Sequence, residues 1–176
     1  MASRNPDAIA LLKADHRKVE ELFEKFEKAK DSARKRSLAE EICTELSVHA
    51  TIEEEILYPA CKGKVEDDLL DESYVEHDGA KVMISELSAG TPADEFYDAK
   101  MTVLSEEIKH HVKEEEKPGE GLFAQAREAG IDLMELADRM KARKEELLAQ
   151  IKAEGLPTPV TRSFKGPKLE HGNVLN

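Results

Sequence analysis

Residues 46–60 read Leu46-Ser47-Val48-His49-Ala50-Thr51-Ile52-Glu53-Glu54-Glu55-Ile56-Leu57-Tyr58-Pro59-Ala60. Taken back to Ile42, the inward positions step 42, 46, 49, 53, 56, 60, the three-four alternation that keeps one helix face towards a core. Two of those positions are polar, His49 and Glu53, one turn apart in an otherwise apolar seam. A helix that carries an imidazole and a carboxylate on its core face needs something in that core to receive them.

Three other segments repeat the pattern. The steps 9, 12, 16, 19, 23, 26 carry His16 inward, and Leu70, Tyr74, His77, Ala80, Ile84 and Leu87 carry His77. The steps 97, 101, 104, 108, 111, 115 put His111 and Glu115 in a seam with the spacing of His49 and Glu53. Four helices each supply one inward histidine, and two of them add a carboxylate.

These segments predict helices over about 7–29, 36–60 and 66–87, and a fourth that follows the turn at Gly90-Thr91-Pro92 and runs to about Glu116. Asp7 caps the first, Gly63 follows the second, Thr91 is the cap of the fourth and Pro92 its first residue. A short helix from Leu122 and a longer one over 132–154 come next. Residues 155–176, with prolines and no periodicity, read as an extended or disordered tail. The expected fold is all-α: an antiparallel up-down four-helix bundle with an additional C-terminal helix, one domain over 1–154. Only 5% aromatic residues and no Trp agree with a helical chain.

A net charge of −12 argues against nucleic acid and anionic membrane as partners. No stretch of about 18 apolar residues and no signal-peptide core occur, so the expected location is cytoplasmic. Cys43 and Cys61 are too few and too far apart for a disulfide scaffold or a Cys-x-x-Cys pair, and read as buried thiols.

Six polar groups buried without partners would each cost on the order of 1–3 kcal/mol, against a total stability of about 5–15 kcal/mol. Metal coordination resolves the conflict most simply. His16, His49, Glu53, His77, His111 and Glu115 are therefore the candidate ligands. Four imidazoles, two bridging carboxylates and an oxo or hydroxo bridge give each of two irons five ligands and leave a position for a small molecule. Manganese and zinc suit the same donors. Glu116 is the alternative to Glu115 if the helix rotates slightly, and His110 the alternative to His111, although His110 falls in register with Glu107 and Glu114 on a charged face.

Asp15-His16, His49-x-x-x-Glu53-Glu54 followed by Tyr58-Pro59, Glu76-His77, and His111-x-x-x-Glu115-Glu116 together resemble the hemerythrin-like, HHE cation-binding family over roughly residues 7–150. The resemblance implies a di-iron centre in a four-helix bundle that binds or reacts with O2, NO or peroxide. Two departures stand out. Oxygen-carrying hemerythrins have a histidine four residues beyond the one on the third helix, where this chain has Lys81, which favours redox chemistry, NO or peroxide handling, or iron sensing over oxygen carriage. Lys117-Pro118-Gly119 also interrupts the acidic turn that normally follows the last ligand.

Tyr58 and Tyr74 are possible hydrogen-bond donors near the site, whereas the Lys141–Glu146 run reads as an exposed helix face and His171 lies in the tail. The competing readings are an iron sensor or store whose loading a partner reads, a ferritin-like carboxylate enzyme, and a metal-free helical module. The ferritin-like motif Glu-x-x-His occurs as Glu107-x-x-His110, off the seam.

Overall fold

A computed structural model describes residues 6–165. The long helices are α1 (Ala8–Lys28), α2 (Ser32–Ile52), α4 (Asp67–Ala89), α5 (Tyr97–Glu115) and α7 (Leu133–Glu154); α3 (Tyr58–Cys61) and α6 (Leu122–Glu128) are short. There is no strand among the described residues. Aspartates set the starts of α1, α2 and α7. Asp7 accepts from the Ala10 amide at 2.9 Å, Asp31 from Arg34 at 2.8 Å, and Asp132 from Met134 and Glu135.

Helices α1, α2, α4 and α5 close into a four-helix bundle, each packed on its neighbours around the ring. Helix α7 lies in the groove between α1 and α2. The bundle interior is divided. At one end Ile9, Leu12, Ile52, Leu57, Leu122, Phe123 and Met140 form one apolar core, and at the other Val19, Phe23, Ile42, Ile84, Met101 and Leu104 form a second. Between them lies a layer of buried histidines and carboxylates. Two apolar cores bound the polar layer at either end and pack its side chains from both sides.

The expected helices are present, with local corrections. Helix α2 begins at Ser32, four residues before the predicted start, because Asp31 caps it. It does not continue to Ala60. Residues Glu53–Leu57 form a π-turn, in which the Tyr58 amide donates to the Glu53 carbonyl five residues back. The extra residue advances the inward phase by one, so Leu57, Tyr58 and Cys61 are buried where Ala60 was expected. It also buries Glu54 beside Glu53. Pro59, which has no amide proton, falls in the first turn of α3, where none is needed.

Thr91 does not cap the fourth long helix. Asp94 accepts from the Thr91 amide at 2.7 Å and closes a separate turn, and α5 starts at Tyr97. Tyr97 is the core aromatic and Phe96 is exposed. After α5 the chain doubles back so tightly that a Cβ on Gly121 would stand 2.4 Å from the Glu114 carbonyl and 2.6 Å from that of Glu115. Glycine at 121 thereby seats α6 against the end of the helix that carries Glu115.

Residues 155–165 are irregular and lie back across the bundle. Asp78, fully buried on α4, accepts from the amides of Arg162 and Ser163 at 2.8 and 2.6 Å and from the Ser163 hydroxyl at 2.7 Å. Lys81 donates to the Val160 carbonyl. This strap gives the tail contacts that its composition did not predict; His171 lies outside the described residues.

Candidate metal centre

The polar layer draws one histidine from each bundle helix: His16 from α1, His49 from α2, His77 from α4 and His111 from α5. Glu53 enters from the π-turn and Glu115 from the last residue of α5. All six are at most 6% exposed. The histidines present the same nitrogen inward. His16 Nε2 stands 3.1 Å from His49 Nε2, and His77 Nε2 stands 3.3 Å from His111 Nε2. Glu53 Oε2 lies 3.2 Å from His49 Nε2 and 3.3 Å from His77 Nε2, while Glu115 Oε2 lies 3.4 Å from His16 Nε2 and 3.5 Å from His111 Nε2.

The outward nitrogens face a second set of carboxylates. Glu116 Oε1 is 2.8 Å from His16 Nδ1, Glu76 Oε2 is 2.7 Å from His111 Nδ1 and Glu54 Oε1 is 3.1 Å from His77 Nδ1. Asp15 Oδ2 faces His49 Nδ1 at a longer 3.8 Å. Each of these acids is the sequence neighbour of a layer residue but serves the histidine of the next helix around the ring: α1 serves α2, α2 serves α4, α4 serves α5, and α5 serves α1. At His16, His77 and His111 the carboxylate holds the proton on Nδ1 and turns the Nε2 lone pair inward, whereas His49 Nδ1 and Asp15 Oδ2 are buried without a hydrogen-bond partner.

Four inward lone pairs and two carboxylates form an excess of donors that calls for positive charge. Burial resists protonation of His49, yet the Glu53 carboxylate, with Asp15 and Glu115 behind it, raises the imidazole to about 10. Burial likewise opposes a charge on His111, and Glu115 and Glu76 raise it to about 9. Burial disfavours the charged form of Glu53, but His49 and His77 hold its carboxyl well below the usual range. Even so, Glu53 Oε1 and Glu115 Oε2 are buried without a hydrogen-bond partner. Donors about 2.1 Å from a shared cation, at octahedral to tetrahedral angles, stand about 3.0–3.4 Å apart. Most of the inward distances fall in or beside that range. The donors fall into two sets, His16, His49, Glu53 and Glu115, and Glu53, His77 and His111, which share Glu53. The residues present therefore fit metal cations.

Tyr58 is buried at the end of the layer. Its hydroxyl lies 3.2 Å from His77 Nε2, 3.3 Å from Glu115 Oε1 and 3.4 Å from Glu53 Oε2. Burial, then Glu53 and Glu115, push its ionisation well above the ordinary tyrosine value, so it stays a proton donor. Tyr74 packs edge-on against its ring.

The structure thus turns Glu115 inward and Glu116 outward, and it leaves His110 exposed, with Nε2 3.4 Å from Glu76. Lys81 pairs with Glu54 at 2.7 Å. The Lys141–Glu146 run, which the sequence assigned to solvent, instead fastens α7 over the layer: Arg143 grips Glu55 with two nitrogens, and Lys144 pairs with Asp15. Charge periodicity on one helix carries no signal of such partners on another.

The Hemerythrin HHE cation binding domain model matches residues 7–118, well over half of the chain. The chain belongs to the hemerythrin HHE cation-binding domain family. Hemerythrin-type domains bind metal cations, and all six residues of the layer fall inside the matched region. A crystal structure of a hemerythrin HHE cation binding domain-containing protein from Mycobacterium kansasii shares the fold, with a TM-score of 0.70 and 23% identity over 86% of this chain and 96% of that one. A DNA nickase from Nostoc sp. (strain PCC 7120) is 27% identical over 117 residues, 66% of this chain and 32% of that protein. The chain spans about a third of that relative's length. Helices α6 and α7 and the strap lie beyond the residues that the family model matches. No helix among the described residues is long and apolar enough to cross a membrane.

Proposed function

We propose that this hemerythrin HHE domain holds two iron ions, with His16, His49, Glu53, His77, His111 and Glu115 as ligands, and that an open position on them binds or reacts with O2, NO or peroxide. The observation that carries the reading is the pair of donor sets sharing Glu53, with the outward face of each imidazole turned to a carboxylate. When bound, the two irons supply electrons and a coordination position for the small molecule. The chain supplies the rest. The outward carboxylates of Glu116, Glu54 and Glu76 fix the tautomers of His16, His77 and His111, the two apolar cores bound the layer at either end, and the Tyr58 hydroxyl holds a proton within reach of Glu53 and Glu115. The test is optical. Anaerobically iron-loaded protein is expected to change its absorption on addition of O2, NO or peroxide, and absence of change with all three would overturn the reading.

A second reading, in which iron loading is itself the signal, is favoured by one contact. Asp78 follows His77 directly and pins the strap through Arg162 and Ser163. Movement of His77 on loading would be transmitted to the strap, and a partner could read the change. Slower proteolysis near residues 156–163 in the iron-loaded chain supports this reading; equal rates in both forms would contradict it.

A further inference from the structure

A cavity of about 480 Å³ opens directly beside the polar layer. Its walls include Val19, Leu46 and Ile84 from the bundle, Leu147 from α7, and Leu156 and Val160 from the strap. The four histidines of the layer face into it. A dissolved gas or peroxide needs very little of this space: at about 30 Å³ per molecule of liquid water, the cavity equals roughly 16 waters. Volumes of about 300–1,000 Å³ with mainly apolar walls are those of sites for small organic molecules.

The charges on the walls narrow the ligand class. Lys81 pairs with Glu54 at 2.7 Å and Asp78 at 3.3 Å, Arg162 with Glu54 at 3.4 Å, and Arg143 with Glu55 at 2.7 Å. Asp15 is paired with Lys144. Each charged group on the walls has an opposite charge beside it, so a charged ligand would have to break an existing pair, whereas a neutral apolar one would not.

We propose that the cavity binds a neutral, largely apolar organic molecule, of the size of a medium-chain alcohol or a bicyclic aromatic, with one end against the inward imidazoles. This deepens the metal reading and rests on it for the chemistry done there, since the molecule would lie within reach of the metal positions. The strap completes the pocket. Leu156-Pro157-Thr158-Pro159-Val160 forms one wall, tied to α4 by the contacts of Asp78 with Arg162 and Ser163 and of Lys81 with Val160.

The test is a fluorescence titration of the full chain, metal-free and anaerobically iron-loaded, with the neutral apolar fluorophore N-phenyl-1-naphthylamine. Saturable binding of one probe per chain is expected in both forms. Leu147→Trp and Leu156→Trp fill the cavity from two walls and are expected to weaken probe binding at least tenfold, with helical circular dichroism and iron content unchanged. If Leu147→Trp fails to fold, Leu156→Trp, in the irregular strap, carries the comparison. No saturable binding to iron-loaded protein, or unchanged binding in every folded variant, would overturn the proposal. Failure of iron to load overturns the metal reading and is recorded separately by metal analysis.

Discussion

Glu116 Oε1 accepts from His16 Nδ1 at 2.8 Å, although the residue beside Glu116 is the one that faces His16 from within the layer. Adjacent glutamates at the end of α5 therefore grip the same imidazole from opposite sides. Glu116 also pairs with Arg17 and Lys13 at the surface. This contact is one of four in the ring of outward carboxylates, and it explains why an acid stands next to a layer residue on every bundle helix.

The outward contact leads to a prediction about affinity. Removing a carboxylate that orients a metal-ligating histidine typically costs 10–100-fold in metal affinity. Glu116→Ala and Glu76→Ala are each expected to weaken iron binding by about that factor while the helical content stays that of the native chain. Competition with a chelator of known affinity measures the loss.

Tyr58 leads to a second prediction. Its hydroxyl is buried among Glu53, His77 and Glu115, so Tyr58→Phe deletes a buried donor without changing ring packing. The loss is expected to be about 1–2 kcal/mol in the metal-free protein, read by urea unfolding. Iron stoichiometry is expected to remain at the native value, because the tyrosine is not among the proposed ligands.

Gly121 and Gly119 separate two kinds of glycine requirement. A Cβ at 121 would meet the Glu114 and Glu115 carbonyls, whereas Gly119 has open space around it and a φ of +76°. Gly121→Ala is expected to cost about 1–3 kcal/mol or more through backbone displacement and to disturb Glu115. Gly119→Ala is expected to cost about 1–2 kcal/mol from the left-handed backbone alone. Urea unfolding compares the two, and iron affinity is expected to fall only for Gly121→Ala.

The buried thiol of Cys43 sets a pH dependence in the alkaline range. Burial raises its ionisation from the ordinary 9.0 to about 11. Below pH 9 both folded and unfolded thiols are protonated and the stabilising contribution is complete. From pH 9 towards 11 only the unfolded thiol ionises, so the folded state binds more protons and stability falls with rising pH, by about 1.4 kcal/mol per pH unit from this group. Urea unfolding under reducing conditions at pH 8, 9 and 10 is expected to show a shallower decline in Cys43→Ala than in the native chain.

The four helix phases were legible because His16, His49, His77 and His111 interrupt runs whose three-four spacing is otherwise apolar, and position alone reveals that. The π-turn at Glu53–Leu57 was not. It is a one-residue change of phase in a stretch whose residues suit an α-helix, and Pro59 was its only local trace. The outward carboxylates were half legible: Asp15, Glu54, Glu76 and Glu116 could be seen beside layer residues, but each serves a different helix, and cross-helix pairing has no sequence period. The strap was not legible either, since Asp78 reads as one more acid on α4 until Arg162 and Ser163 fold back onto it.

One buried layer, its two donor sets sharing Glu53, is proposed to hold two metal ions. Anaerobic loading of the full chain with ferrous iron, removal of free metal, and analysis of iron per chain tests this most directly. Two irons per native chain, with loss of bound iron in Glu53→Ala, is the predicted result. No retained iron, or the same iron content in Glu53→Ala as in the native chain, would contradict it.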